Sequence, residues 1–287
     1  YEINIGDWSS DVCSSDLEKE PNNVEYLATL GGVLAANKKF DEAKKQYAKI
    51  GTLDPGNQKA ILLIGILEAE GGDLEGGIKT LTKAIDESDD NFMAYFYRAK
   101  IYLELEDIDK AKADLTKCQA LRPAFVEAGT ALGLLHEKLG EPEEAIKAYS
   151  QIRGNGRFRK RLAQLYLQAN QFDKALSELL EYEQIESDDY TIKVKIGLLF
   201  FELKKFEDAR ERFQAILKEQ PEADNVRFYL AAVYEEEKAW PNALKHFQKV
   251  SKSSSFFKEA MLHVGYIFRQ QAKVQEGLAF SKKLLKG

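Results

Sequence analysis

The feature that most limits what this chain can fold into is a spacing. From Phe40 onward an apolar residue returns at Leu74, Ile108, Pro142, Phe172, Phe206, Trp240 and Val274, and each step is 34 residues except the 30 between Pro142 and Phe172. Three residues after each of these comes a small one: Ala43, Gly77, Ala111, Ala145, Ala175, Ala209, Ala243 and Gly277. Twelve residues before those lie Gly31, Gly65, Ala99, Gly133, Ala163, Gly197, Ala231 and Gly265. Small residues at every matched place exclude chance. Mid-helix Gly costs about 1 kcal/mol relative to Ala, so its use here points to elements packed too closely for a side chain.

Within one period, Phe92 to Phe125, the apolar and small residues are Tyr95, Ala99 and Tyr102, then Ile108, Ala111, Leu115 and Cys118. Steps of three, four and seven are the one-face spacing of an α-helix. Glu106-Asp107 supplies a polar turn, and Pro123 stops the second helix because it lacks an N–H and clashes with the preceding turn. The unit reads as two antiparallel helices that approach most closely at Ala99 and Ala111. The whole is expected to be all-α, an α-solenoid of about eight such pairs over residues 24–287. The pairs start near Val24, Gln58, Phe92, Val126, Gly156, Tyr190, Asp224 and Lys258. The fourth is four residues short, and its second helix is expected to lose about one turn, roughly 6 Å of rise.

Residues 1–17, YEINIGDWSSDVCSSDL, share none of this periodicity. They resemble a conceptual translation of an indexed sequencing-library adapter, with a flexible Ser/Asp-rich leader as the alternative; on either reading they are expected to be disordered and outside the fold. Residues 18–23 read as the end of a truncated preceding repeat, since Pro21 lies 34 residues before Pro55. On the adapter reading the native N-terminus is missing, so both a cytoplasmic and an exported location stay open; the Lys-rich, Cys-poor style points to a bacterial source. The net charge of −6 falls to −2 without Glu2, Asp7, Asp11 and Asp16. Two cysteines cannot form a disulfide framework, and no apolar run approaches the roughly 20 residues that span a bilayer.

The pattern resembles the tetratricopeptide repeat, whose signature is W-x2-L-G-x2-Y, A-x3-F and P over 34 residues. Here it reads Leu27, Leu30-Gly31, Leu34, Ala43, Tyr47 and Pro55, and later Ile196-Gly197, Phe200, Ala209, Phe213 and Pro221. Departures are the absent Trp, Ser281 where the last repeat should carry an aromatic, and the short fourth repeat. The resemblance implies a right-handed superhelix whose first helices line a concave groove, and a non-enzymatic scaffold or adaptor that binds a peptide or partner-protein segment there.

Transferred to this sequence, the groove-facing positions are Leu62 and Ile66; Phe96, Tyr97 and Lys100; and Thr130 and Leu134. Further along they are Lys160, Arg161 and Gln164; Val194 and Lys195; Phe228 and Tyr229; and His263, Tyr266 and Arg269. Ligand anchoring and ordinary packing stay open for Phe96, Tyr97, Phe228 and Tyr229. A clamp for a chaperone C-terminus would need Asn four residues after Lys160, where Gln164 stands.

The stretch RGNGRFRKR, Arg153 to Arg161, admits three readings: a solvated loop, a site for acidic peptide, or a nucleic-acid contact, the last being the alternative function. Near-neutral overall charge speaks against a dedicated nucleic-acid binder, because that affinity comes from many phosphate contacts. His136, His246 and His263 fall in three repeats without HExxH, CxxC or GxSxG around them. No catalytic residue, metal ligand, cofactor or small-molecule substrate is expected. The Glu235-Glu236-Glu237 and Glu141 to Glu144 runs are expected to face solvent.

Overall fold

The computed structural model describes residues 20–154 and 156–286. The adapter-like leader, residues 1–17, and Glu18 and Lys19 lie outside the described residues. Sixteen helices and no strand are present among the described residues. They are α1 (Val24–Ala36), α2 (Phe40–Leu53), α3 (Gln58–Glu70), α4 (Leu74–Glu87), α5 (Phe92–Glu104), α6 (Ile108–Leu121), α7 (Val126–Lys138) and α8 (Pro142–Gln151). The second half comprises α9 (Gly156–Gln168), α10 (Phe172–Ile185), α11 (Tyr190–Glu202), α12 (Phe206–Glu219), α13 (Asp224–Glu236), α14 (Trp240–Phe247), α15 (Phe257–Gln270) and α16 (Val274–Lys286). Consecutive helices form eight pairs.

Local chemistry sets the starts and stops. Asn23, Asn57, Asn91 and Asp189 accept backbone N–H groups at the starts of α1, α3, α5 and α11, and Asp73 and Asp107 do so for α4 and α6. Between the members of every pair one residue enters the left-handed region: Lys38, Gly72, Glu106, Gly140, Asn170, Lys204, Lys238 and Ala272. The next amide then returns to a carbonyl five residues back, as Lys39 N–H does to Leu34 O (2.9 Å) and Lys205 N–H to Phe200 O (2.8 Å). This closes the first helix in the Schellman manner. Six of the eight are not glycine, so packing of the pairs holds them against local strain.

The chain divides into two compact units, one ending at Ile152 and one beginning at Arg153. In the first, the core runs through Leu27, Tyr47, Ile50 and Leu67, then Leu81 and Ile101, then Leu115, Leu132 and Leu135. In the second it runs through Leu176, Leu179, Ile192 and Ile196, then Phe213, Val226, Leu230, Phe247 and Val264.

The small positions owe their size to a side chain sixteen residues later, on the second helix of the same pair. A Cβ on Gly31 would lie 2.7 Å from the Tyr47 ring, and one on Gly133 or Gly197 would lie 2.4 Å from Tyr149 or Phe213. At Gly77 the limit is backbone, with Gly65 O 3.0 Å from the added carbon. Ala99, Ala111, Ala145, Ala163, Ala175, Ala209, Ala231 and Ala243 are all fully buried. Gly265 corrects the expectation: it is exposed, and a Cβ there meets nothing within 4 Å. The residue sixteen later is Ser281, too short to cover it, and its hydroxyl instead bonds Gly277 O at 2.9 Å.

Among the second helices, α2, α4, α6, α10 and α12 have 14 residues and α16 has 13, whereas α8 has only 10 and α14 only 8. The short α14 leaves no trace in the 34-residue ruler. The chain is irregular from Gln248 to Phe256. Ser251 bonds Asp224 through both its N–H and its hydroxyl, and Ser254 Oγ accepts Phe256 N–H. Serine hydroxyls that bond nearby groups compete with the helical ladder.

Candidate functional site

In the first unit the expected groove residues sit on three first helices, α3, α5 and α7. Matched positions give Leu62, Phe96 and Thr130 in one row, and Ile66, Lys100 and Leu134 one turn further on. Tyr97 ties the helices together. Its ring packs with Leu62 on the cluster around Leu81 and Ile85, and lies 5.4 Å from Phe96, which lies 5.1 Å from Phe125 at the start of α7. Burial raises the Tyr97 hydroxyl pKa, and the carboxylates of Glu70 on α3 and Glu127 on α7 raise it further. Lys100 places its ammonium 5.2 Å from the Tyr97 ring centre, a cation–π contact.

Phe96 and Tyr97 are half-buried, Ile66 is half-buried and Leu134 is 56% exposed. The aromatics therefore form the floor of this face, and Leu134 stands out from it. Thr130 spends its hydroxyl on Val126 O at 2.6 Å, an i−4 bond within α7.

The second unit holds the remaining residues, and here several expectations change. Phe228 is 7% exposed, with its ring against Phe247, Phe256 and His263 at 5.2–5.6 Å. It is a core residue rather than a groove residue, and Val194 is likewise buried. Tyr229 is half-buried against Phe213 and Phe256. His263 stacks on Phe247 at 4.9 Å and holds Glu235 Oε2 at 2.6 Å, a bond that raises its pKa. Lys195 and Gln164 are half-buried, and Tyr266 and Arg269 are exposed.

The basic stretch is largely answered from within the unit. Arg159 reaches Glu178 at 3.0 Å and Glu181 at 2.7 Å, and Arg153 lies 3.9 Å from Glu178. Lys160 bonds Asp189 at 2.9 Å, which raises the lysine pKa and lowers that of the carboxyl. Arg161 donates to Gln164 Oε1 at 3.1 Å. A free charge contact at Lys160 is therefore replaced by an inter-pair ion pair.

Of the carboxylate runs, Glu143, Glu144 and Glu236 are exposed as expected, whereas Glu141, Glu235 and Glu237 are half-buried and paired. Glu141 accepts from Lys112 and His136, at 2.8 and 2.6 Å, and both bonds depress its pKa. Glu235 and Glu237 bind His263 and Arg210. Sequence reasoning missed these, although a signal existed: Lys112–Glu141, Lys160–Asp189 and Arg212–Glu183 are each 29 residues apart. That separation joins corresponding faces of successive pairs. Among the described residues no group of His, Cys, Asp and Glu could hold a metal ion, and no helix is long and apolar enough to cross a membrane.

Comparison with known proteins supplies the context. The tetratricopeptide repeat model matches residues 98–158, 130–190 and 194–256. Anaphase-promoting complex subunit 3 of Schizosaccharomyces pombe is 22% identical over 203 residues, covering 69% of this chain and 30% of that protein. The chain thus spans less than a third of that relative's length. Among solved structures, the MamA protein is 23% identical, with 58% of this chain and 95% of that one covered at a TM-score of 0.45. YrrB, described as a TPR protein with an unusual peptide-binding site, is 18% identical, with 60% and 91% covered at a TM-score of 0.43.

Proposed function

Because the chain belongs to the tetratricopeptide repeat family, whose members generally mediate protein–protein contacts, we propose that it is a non-enzymatic scaffold. Its binding face is that of α3, α5 and α7, and its ligand is a peptide segment of a partner protein. The observation that carries this reading is Leu134, 56% exposed on α7 at the repeat position of the half-buried Ile66 on α3, one turn along from the row that holds the half-buried Phe96. Covering an exposed leucine gains about 1.5–3 kcal/mol when the burial is complete, and rigid aromatics add contact area at low entropic cost. Glu70 and Glu127 raise the pKa of the Tyr97 hydroxyl while Lys100 already covers the ring, so the ligand of this reading carries an apolar side chain next to a Lys or Arg that those two carboxylates attract.

The nucleic-acid alternative requires free cations for phosphate. Arg153, Arg159 and Lys160 already have carboxylate partners, which favours the protein-binding reading. The test is selection from a random peptide display library. Enriched peptides should share the apolar-basic pattern and lose binding to Ile66→Glu/Leu134→Glu chains with unchanged circular dichroism. Enrichment that persists on that variant, or retention of RNA or DNA lost on adding salt, would remove the reading.

A further inference from the structure

In the fifth pair Arg159, the fourth residue of α9, meets Glu178, the seventh of α10, at 3.0 Å and Glu181, a turn further on, at 2.7 Å. In the sixth pair the matched places on α11 and α12 hold two bases, Lys193 and Arg212, and each has a carboxylate: Glu219 at 3.5 Å and Glu183 at 2.6 Å. The seventh pair again puts bases at both places, Arg227 on α13 and His246 on α14. Here the carboxylates do not follow. The residues 34 after Glu219 and Glu183 are Ser253 and Leu217, and the place of Glu181 is taken by Lys249, just past the end of α14.

Local bonding does not make up the difference. Arg227 donates through Nη2 to Pro221 O, and its Nε lies 3.6 Å from Asp224 Oδ1; the other Asp224 oxygen accepts the N–H and the hydroxyl of Ser251. Arg227 Nε and His246 Nδ1 are both buried and have no hydrogen-bond partner. A guanidinium has only donors, and a buried donor without an acceptor is costly. The imidazole stacks on the Tyr234 ring at 5.6 Å. Burial, and then Arg227, Lys245 and Lys249, push its pKa down to about 4. Lys245 and Lys249 are exposed, so the cluster has a side open to solvent.

We propose that Arg227, His246 and Lys249 bind a carboxylate from outside the chain, either an acidic side chain of a bound polypeptide or a small free carboxylate. Arg227 turns from Pro221 O and donates to it as Arg159 donates to Glu178, in a charge-assisted hydrogen bond. His246 gains an acceptor for Nδ1 and takes up a proton, and Lys249 approaches from the open side. These places join a first helix to its own second helix and are not groove positions, so the site stands whether or not α3, α5 and α7 hold a peptide.

Nuclear magnetic resonance of the full chain near neutral pH tests this, with acetate as probe and chloride at equal ionic strength as control. Acetate should shift the Arg227 Nε–H and His246 ring signals together to saturation. Those of His136 and His263, already bonded to Glu141 and Glu235, should stay in place. Arg227→Gln should weaken the His246 response about tenfold or more, the loss of one charged hydrogen bond. His246→Glu restores the carboxylate of the fifth pair; it should match the parent by circular dichroism, and its Arg227 signal should no longer respond. An acetylated, amidated Ala-Glu-Ala peptide that saturates at lower concentration than acetate assigns the carboxylate to a polypeptide, and equal concentrations assign it to a free carboxylate. Chloride shifts equal to those of acetate, a His246 response unaltered by Arg227→Gln, or an Arg227 signal that neither acetate nor the peptide moves overturns the proposal.

Discussion

Gly133 and Gly265 occupy the same place in different pairs, yet substitution by alanine should move stability in opposite directions. At Gly133 the new methyl would lie 2.4 Å from the Tyr149 ring. That ring cannot step aside, since Tyr149 is fully buried and its hydroxyl donates to Glu137 at 2.7 Å. Overpacking costs about 1–3 kcal/mol, and an overlap this deep belongs at the upper end; subtracting the roughly 1 kcal/mol that Ala gains over Gly in a helix leaves a net loss of about 1–2 kcal/mol. At Gly265 nothing opposes the methyl, so only the helical gain of up to about 1 kcal/mol remains. Adding Tyr149→Leu to Gly133→Ala recreates the Ala99 and Leu115 pairing of the third pair, and the double variant should lose less than the two singles summed. Urea unfolding followed by circular dichroism gives the sign. Hydrogen exchange in α7, α8, α15 and α16 localises it, because stacked repeats open locally. A Gly133→Ala chain as stable as the parent, or a Gly265→Ala chain less stable, would refute the packing argument.

Lys204→Gly should stabilise the second unit by about 0.5–1 kcal/mol by relieving its positive φ, whereas Gly140→Ala, also at positive φ, should destabilise the first; urea midpoints check both. Asp114→Ala should cost about 3–5 kcal/mol, because it strands Arg98, whose Nε and Nη2 bond the Asp114 carboxylate at 2.7 and 2.8 Å in a largely buried setting; the melting temperature reads this. His246 has its pKa pushed down to about 4 by burial and by Arg227, Lys245 and Lys249. Its stability contribution is therefore present above the unfolded value of 6.5 and lost as pH falls toward 4, and His246→Phe should flatten that acid slope. His263 works in the opposite sense: its pKa is raised by Glu235, so its contribution is complete below 6.5 and fades as pH rises through the folded value. Melting curves of His263→Ala against pH should lack that alkaline-side loss.

The all-helical, paired architecture was legible because one ruler of small and apolar residues repeats where geometry demands it. Helix openings at Phe40, Leu74, Ile108, Pro142, Phe172, Phe206, Trp240 and Val274 are places where the chain re-enters a packed pair. What escaped was whatever the ruler does not encode. The early end of α14 left the spacing unchanged, because the lost helical residues became the irregular Gln248–Phe256 segment of the same chain length. Gly265 looked like its counterparts because smallness records permission for contact, and the contact itself depends on Ser281. Among the candidate site residues, position along the repeat assigned a face but not an exposure. Phe228 and Leu262 share one position, yet only Phe228 has the aromatic side chains of a following pair over it. Lys160 and Asp189 lie far apart in sequence and meet only through stacking, so single-stretch charge counts overstated the free basicity.

The reading of α3, α5 and α7 as a peptide-binding face is tested most directly by methyl-labelled nuclear magnetic resonance with a peptide recovered from the display selection. The methyl signals of Leu62, Ile66 and Leu134 should shift together and saturate at a single stoichiometry. Those of Leu115, Leu179 and Leu230, fully buried within their units, should stay in place. Saturating shifts confined to second-helix residues or to the second unit, with Leu134 unmoved, would contradict the account.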